Sequence, residues 1–181
     1  YEKALGPDHP TTAASLDRLA ILYVNQSLYE KAEPLYQRAL KIRSDSLGDK
    51  HPDTAASLNN LALMYSYQNL NNKAEPLFRR ALEVYESIFG MKNPNVARIQ
   101  TYLANLYLNQ ALYKKAEPLF RASIETSTQI IQREAPLLVE KERLKFVRSN
   151  YNFIDLNLAI KQQPIATIAM FQTLNHKGIL E

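Results

Sequence analysis

The tetrapeptide Ala-Glu-Pro-Leu occupies residues 32–35, 74–77 and 116–119, so that it returns every 42 residues. Other residues that constrain the backbone keep the same step. They are Gly6, Gly48 and Gly90, together with the dipeptides His9-Pro10, His51-Pro52 and Asn93-Pro94. Self-similarity at one fixed period is the sequence signature of a repeat protein, whose units stack on their neighbours. The sequence therefore predicts stacked copies of one 42-residue unit.

Each unit carries two runs of apolar residues with helical spacing. In the first unit, the first run follows the i, i+3, i+4, i+7 pattern of a helix that buries one face, at Leu16, Leu19, Ala20 and Tyr23. The second run follows after a short break, at Leu28, Ala32, Leu35, Tyr36, Ala39 and Leu40. Only four glycines occur in 181 residues, fewer than strand-and-turn folds usually contain. The chain is therefore predicted to be all-α, with Ala20, Ala32 and Ala39 where paired helices approach closely.

Residues with special backbone or side-chain properties predict where the helices begin and end. Ser27 and Glu30 have the spacing of a capping box, in which two side chains satisfy backbone amides at a helix start. Gly48 fits the residue of positive φ that follows a helix, and Pro52 fits the first turn of the next helix. The proline of each repeated tetrapeptide is expected inside the second helix of its unit, where it removes one backbone hydrogen bond.

The pattern of these units resembles the tetratricopeptide repeat. The matching residues are Leu-Ala-x-x-Tyr in the first helix, then Tyr-x-x-Ala and Tyr/Phe-x-x-Ala-Leu, with leucine in place of the usual early tryptophan. The 42-residue period and the segments 47–55 and 58–62 are similar to kinesin-light-chain-type repeats. The resemblance covers residues 1–130 and implies a right-handed α-α solenoid of helix-turn-helix repeats. Residues 1–6 align with 43–48, so we expect the end of one truncated repeat, three helix pairs, and a longer parent protein.

The 42-residue pattern stops near residue 130, and residues 131–181 are predicted to form C-terminal capping helices or a linker. Apolar residues in alternating steps of three and four indicate a long helix there, at Leu144, Val147, Tyr151, Ile154 and Leu158. Three segments resemble the helices that join such repeats to a CHAT domain, a caspase-like protease domain of bacteria, namely 142–144, 155–159 and 176–180. That resemblance implies an alternative function, in which the chain is the regulatory module of such a protease.

Composition and spacing do not predict catalysis, a cofactor or a metal site. The sequence has no cysteine and three scattered histidines, too few for a nucleophile with its base and orienting group. His9 and His51 precede proline in equivalent turns and are interpreted as turn residues rather than metal ligands. The recurrence of Glu33, Glu75 and Glu117 in the repeat indicates a structural position rather than an acid/base pair. We therefore expect a protein that is not an enzyme.

The net charge of +4 is spread evenly and does not favour nucleic acid or an anionic membrane as a partner. The one basic cluster, residues 141–148, is interpreted as a solvated helix face, with nucleic-acid contact as the alternative. No apolar run approaches the roughly 20 residues that cross a bilayer, and no signal segment opens the sequence. We therefore expect a cytoplasmic protein.

A solenoid of helix pairs has one distinct surface, the concave face formed by the first helix of each unit. At about 100° per residue, the side opposite the buried face can be assigned from the sequence. The residues expected there to bind a peptide are Asp17, Arg18, Asn25, Asn59, Asn60, Leu63, Tyr67, Arg98, Tyr102, Asn105 and Asn109. Asparagine both donates and accepts hydrogen bonds, so it can pair with the backbone of any extended peptide. We predict a protein or peptide partner here, with a solvated groove as the alternative, and a homo-oligomer through the uncapped first repeat.

Overall fold

The computed structural model describes Gly6 and residues 8–134 of the 181-residue chain, and this part contains helices and no strands. Its six helices are α1 (Pro10–Asn25), α2 (Tyr29–Leu47), α3 (Pro52–Tyr67), α4 (Asn71–Phe89), α5 (Pro94–Asn109) and α6 (Tyr113–Glu134). The predicted cap and the basic cluster at 141–148 lie outside the described residues, apart from the last turn of α6. The all-α prediction is confirmed for the part that is described.

The helices form three consecutive hairpins, which are α1–α2, α3–α4 and α5–α6. Within each hairpin the two helices pack against each other, and the second helix then packs against the first helix of the next hairpin. The first helices have 16 residues each, whereas the second helices have 19, 19 and 22. Because α3 also contacts both α1 and α5, the first helices lie side by side. The predicted solenoid of helix-turn-helix repeats is confirmed.

The predicted apolar faces meet in a core that continues from one hairpin to the next. The alanines assigned to close helix approach are fully buried, at Ala20, Ala32 and Ala39. Leu58 and Phe78 are also fully buried, so large side chains fill the space between the hairpins. Full burial of a side chain of this size stabilises a fold by about 1.5–3 kcal/mol. The same contacts recur in each unit and hold the units together.

Two positions assigned to the predicted apolar faces, Leu19 and Leu28, are exceptions, and Leu28 is 38% exposed. Leu19 in α1 is 42% exposed, whereas the equivalent Leu61 in α3 and Leu103 in α5 are buried. The helices α3 and α5 each pack against the second helix of the preceding hairpin, but no helix of the described residues precedes α1. The prediction that Leu19 is buried is therefore wrong, because the helix that would cover it has no counterpart in the described part of the chain.

Each first helix begins at a proline, and the residue before that proline caps the helix. The Nδ1 atoms of His9 and His51 accept hydrogen bonds from the backbone amides two residues later, at 3.2 and 3.1 Å. Asn93 caps α5 in the same way through its side-chain oxygen, at 2.8 Å. The interpretation of both histidines as turn residues is confirmed, and an imidazole or a carboxamide can fill this position.

The turn between the two helices of a hairpin differs from the sequence prediction. Ser27 adopts a left-handed conformation with φ of 59°, and α2 begins two residues later without a side-chain cap. The Leu28 amide donates to the Tyr23 carbonyl at 2.8 Å, which closes the C-terminus of α1. The equivalent residues have φ of 58° and are Asn69 and Ala111. The predicted capping box is wrong, because Ser27 ends the preceding helix instead of starting the next one.

The other boundary predictions are confirmed. Gly48 follows α2 with φ of 90°, a conformation that residues with a side chain rarely adopt. The Gly48 carbonyl accepts a hydrogen bond from the Thr54 hydroxyl at 2.8 Å, which fixes the turn to α3. Pro52 lies in the first turn of α3. The prolines of the tetrapeptide lie inside α2, α4 and α6, as Pro34, Pro76 and Pro118.

Candidate partner-binding surface

The predicted peptide-binding residues lie on α1, α3 and α5 and differ in their solvent exposure. Four of them are exposed, namely Arg18, Asn25, Tyr67 and Asn109. Five are half-buried, namely Asn60, Leu63, Arg98, Tyr102 and Asn105. The remaining two, Asp17 and Asn59, are each only 7% exposed. The first two groups therefore supply most of the surface that a partner can reach.

Aromatic and basic side chains lie close together on α3 and α5. The ring of Tyr102 packs against that of Phe78 in α4, with 5.8 Å between the ring centroids. Burial raises the pKa of Tyr102, and the nearby Arg98 guanidinium opposes that rise. The nearby Tyr67 also raises the pKa of Tyr102 electrostatically. Tyr67 itself is 61% exposed. The surface therefore offers one fixed aromatic ring, one accessible ring and a cation.

Asn59 supplies a hydrogen-bond acceptor that is not used within the described residues. Its side-chain Oδ1 atom is buried and has no hydrogen-bond partner there. A buried polar atom left without a partner destabilises a protein by about 1–3 kcal/mol. Two further carboxamides on the same face, Asn60 and Asn105, are half-buried and thus partly accessible.

Asp17 lies in the packing between the first two hairpins. Its carboxylate accepts a hydrogen bond from the Arg43 guanidinium, which also donates to the Ser57 hydroxyl. The side chains of Arg43 and Asp17 are 10% and 9% exposed. Burial raises the pKa of Asp17, and the attraction of Arg43 opposes that rise. The structure thus places the Asp17 carboxylate in a buried polar cluster, away from most of the accessible surface.

The helical pattern of the sequence does not predict a site at Arg43 or Ser57. Comparison of the repeats could have identified Arg43 as unusual, because the equivalent residues in the other units, Tyr85 and Ser127, are uncharged. All three side chains belong to buried residues, with exposures of 8%, 7% and 9%. A charged residue at a position that is otherwise uncharged and buried requires a partner of opposite charge, which here is Asp17.

A repeated set of contacts joins consecutive hairpins at the tetrapeptide. The Tyr65 hydroxyl donates to Glu33 Oε1, and the Tyr107 hydroxyl donates to Glu75 Oε1, both at 2.6 Å. The hydrogen bond from Tyr107 holds the pKa of Glu75 below its ordinary value. Glu117, in the last described hairpin, has a side chain that is 71% exposed and makes an ion pair within α6. The structural interpretation of Glu33 and Glu75 is confirmed.

Metal-ligand groups, membrane-spanning helices and clefts each indicate a different kind of partner. Gly6 and residues 8–134 contain no group of three or more His, Cys, Asp or Glu side chains that could hold a metal ion. None of the helices in this part of the chain is long and apolar enough to span a membrane. A shallow, open cleft near the ends of α3 and α5 is bordered by Asn69, Leu108, Asn109, Ala111 and Tyr113. This cleft continues the candidate surface towards the turns between helices.

Comparison with known proteins agrees with the repeat type. The family model of the tetratricopeptide repeat matches residues 1–45, 17–87 and 70–129. The crystal structure of BtubC (BKLC) from P. vanneervenii is similar, with a TM-score of 0.65 and 19% identity. That match covers 92% of this chain and 66% of BtubC, slightly less than two thirds of its length.

A second solved structure has the same architecture. The crystal structure of a Podosopora anserina putative kinesin light chain, with nearly identical TPR-like repeats, has a TM-score of 0.60 and 19% identity. The match covers 97% of this chain and 81% of that one. At this identity both likenesses concern the fold alone. No curated protein sequence matches the chain significantly.

Proposed function

Because the chain belongs to the tetratricopeptide repeat family, we propose that it is a protein-interaction scaffold whose concave face holds an extended peptide. Such repeats generally mediate protein–protein interaction, and proteins built from them are typically non-enzymatic. The repeats of this chain are similar to those of kinesin-light-chain-like structures, as the sequence predicts. The observation that carries the proposal is the group of carboxamide and tyrosine side chains that α3 and α5 present at the accessible surface, namely Asn60, Tyr67, Tyr102 and Asn105.

The side chains of the concave face divide into two roles. Asn59, Asn60 and Asn105 bind the backbone of the peptide, because each carboxamide can both donate and accept. Tyr67 and Tyr102 supply large contact surfaces with a polar tip, which suits recognition of partly apolar side chains. The flanking residues select among peptide side chains, and they are Arg18, Asn25, Leu63, Arg98 and Asn109. Asp17 stays paired with Arg43 beneath this surface.

Fluorescence anisotropy with peptides chosen from an array of extended sequences tests this proposal. In the double variant Asn59→Ala/Asn105→Ala we expect affinity to fall at least about tenfold, since each hydrogen bond contributes roughly 1 kcal/mol. Asn72→Ala is the matched control, because this exposed asparagine lies on α4, away from the first helices. Unchanged affinity in the double variant, with helical content retained, contradicts the assignment. An array without any binder favours the alternative of a solvated groove.

Three finer predictions remain proposals. The alternative function, a regulatory module of a caspase-like CHAT protease, depends on segments that lie outside the described residues, and a His–Cys catalytic pair in the parent protein would support it. Homo-oligomerisation through the first repeat is checked by light scattering of the purified chain. Cytoplasmic location is checked by imaging a tagged parent protein.

A further inference from the structure

The first helices of the three hairpins repeat one polar position across the concave face. Arg18 in α1, Asn60 in α3 and Tyr102 in α5 are 42 residues apart, so they occupy equivalent places. Arg18 is exposed, and the other two are half-buried. All three side chains carry a hydrogen-bond donor, as a guanidinium, a carboxamide and a phenol. We call these three residues the donor row.

A second set of equivalent residues lies beside the donor row and is mostly apolar. Three residues further along each first helix, the chain has Ile21, Leu63 and Asn105. Ile21 is 43% exposed, and the other two are half-buried. Two neighbouring helices therefore present an aliphatic side chain next to a donor, and the third helix presents a carboxamide.

The spacing of the first helices limits the conformation of a peptide that contacts each of them in the same way. Helices in direct contact, as α1 with α3 and α3 with α5, have axes about 8–10 Å apart. In a β-strand, groups on one side recur every two residues, at about 6.6 Å, or every four, at about 13 Å. In the polyproline II conformation they recur every three residues, at about 9.3 Å. Of these two extended conformations, polyproline II matches the spacing of the helices.

The chemistry of the surface also suits the polyproline II conformation. Its backbone has no internal hydrogen bonds, so its carbonyls can accept from the donor row, and no peptide amide is required. Proline-rich segments dock in grooves lined by aromatic side chains. The concave face has the accessible ring of Tyr67, and the ring of Tyr102 is fixed 5.8 Å from that of Phe78.

We propose that the peptide held by the concave face is a proline-rich segment in the polyproline II conformation, with two prolines three residues apart. This inference rests on the proposed function and names the class of peptide that the scaffold takes. Each turn of the peptide lies over one first helix, where the donor row binds its carbonyls. The two prolines contact Ile21 and Leu63, and the apolar contacts end at Asn105.

Fluorescence anisotropy of the full chain with three labelled decapeptides tests this inference. The first peptide has prolines at its third and sixth positions, and the second has the same composition with prolines at the third and fifth. The third peptide alternates valine and threonine, which favour a β-strand. We expect the first peptide to bind at least about fivefold more tightly than the other two. Replacing the residues between its prolines by proline should preserve its affinity, because no amide is used.

Variants of the donor row test the individual hydrogen bonds. Asn60→Ala and Tyr102→Phe each remove one donor and should weaken binding of the first peptide about fivefold. The phenylalanine keeps the ring that packs against Phe78. The two losses should multiply, because the residues lie on separate helices and bind separate carbonyls. Asn72→Ala in α4 is the matched control and should leave the affinity unchanged.

The outcomes separate this inference from the scaffold proposal. Tighter binding of the valine–threonine peptide, equal binding of the two proline spacings, or loss of binding on adding prolines overturns the polyproline II assignment and leaves an extended-peptide scaffold. Full affinity of both donor-row variants overturns it as well. If none of the three peptides binds while the array yields a binder, this inference alone fails. An array without any binder contradicts the scaffold proposal too.

Discussion

The buried pair of Asp17 and Arg43 makes a quantitative prediction about stability. Their side chains are 9% and 10% exposed, so both charges are removed from water and depend on each other. In Asp17→Ala, the Arg43 guanidinium keeps only the Ser57 hydroxyl as its partner in this cluster. Removing one member of a buried ion pair typically destabilises a protein by about 3–5 kcal/mol, and we expect a loss of this size here.

The second repeat supplies the rescue variant. Its residues at the two equivalent positions are Asn59 and Tyr85, which are 7% exposed each and carry no charge at neutral pH. The double variant Asp17→Asn/Arg43→Tyr copies that solution into the first repeat. Because burial raises the pKa of Asp17, the native pair already bears a desolvation penalty. We expect the double variant to lose less free energy of unfolding than Asp17→Ala, since uncharged packing can replace a buried ion pair.

Urea unfolding followed by circular dichroism at 222 nm measures both effects, and the single variants Asp17→Asn and Arg43→Tyr complete a double-mutant cycle. Lys41→Ala serves as the control, because the Lys41–Asp45 pair is 76% and 64% exposed and its loss should not measurably change stability. The reasoning is refuted if Asp17→Ala is as stable as the original chain. It is refuted equally if the double variant loses as much as the two single changes added together.

Three further predictions follow from helix ends and from the Glu75 contact. Ala111 has φ of 58°, so Ala111→Gly should raise the free energy of unfolding by about 1 kcal/mol, measured by urea titration. His51→Ala should lower it by about 0.5–2 kcal/mol through loss of the cap, whereas His51→Asn, which copies Asn93, should preserve it. The hydrogen bond from Tyr107 lowers the pKa of Glu75, so its stabilisation is full above the ordinary value of 4.5 and is lost as pH falls through the folded-state value. Glu75→Gln should therefore make the urea midpoint less dependent on pH in acid, and an unaltered pH profile would contradict this account.

Repeat periodicity made most of the fold predictable. A residue that recurs every 42 positions faces the same surroundings in each unit, so a single helical pattern assigns the core of all three hairpins. Leu58, Phe78 and Ala104 are fully buried as that pattern requires. The prediction for Ser27 is wrong because serine is common at helix starts, and sequence spacing alone does not show a residue of positive φ. The equivalent Ala111 carries no polar side chain, which was the available sign that this position is not a side-chain cap.

The candidate surface was less predictable than the core. Helical geometry gives the direction of a side chain but not its depth, which depends on the neighbouring hairpin. Helical geometry therefore places Asp17, Asn59 and Tyr67 on one face, although the first two are 7% exposed and Tyr67 is 61% exposed. The depth of Asp17 is set by Arg43, which lies 26 residues away in sequence. The contact between Asp17 and Arg43 forms only when α1 and α2 pack together, and α3 then adds the Ser57 hydroxyl.

Residues that differ between equivalent positions of the repeats can determine which hairpins pack together, whereas residues that are identical in every repeat cannot. Near-identical hairpins could in principle stack in the wrong order, because the Glu–Tyr contact is the same at both interfaces. The polar cluster of Asp17, Arg43 and Ser57 occurs at the first interface, where the second has Asn59, Tyr85 and Ile99. Placing α2 against α5 would bury the Arg43 guanidinium opposite Ile99 in place of Ser57. The guanidinium would keep Asp17, which lies in its own hairpin, but would lose the Ser57 hydroxyl, so this buried hydrogen bond favours α3 over α5 as the neighbour of α2.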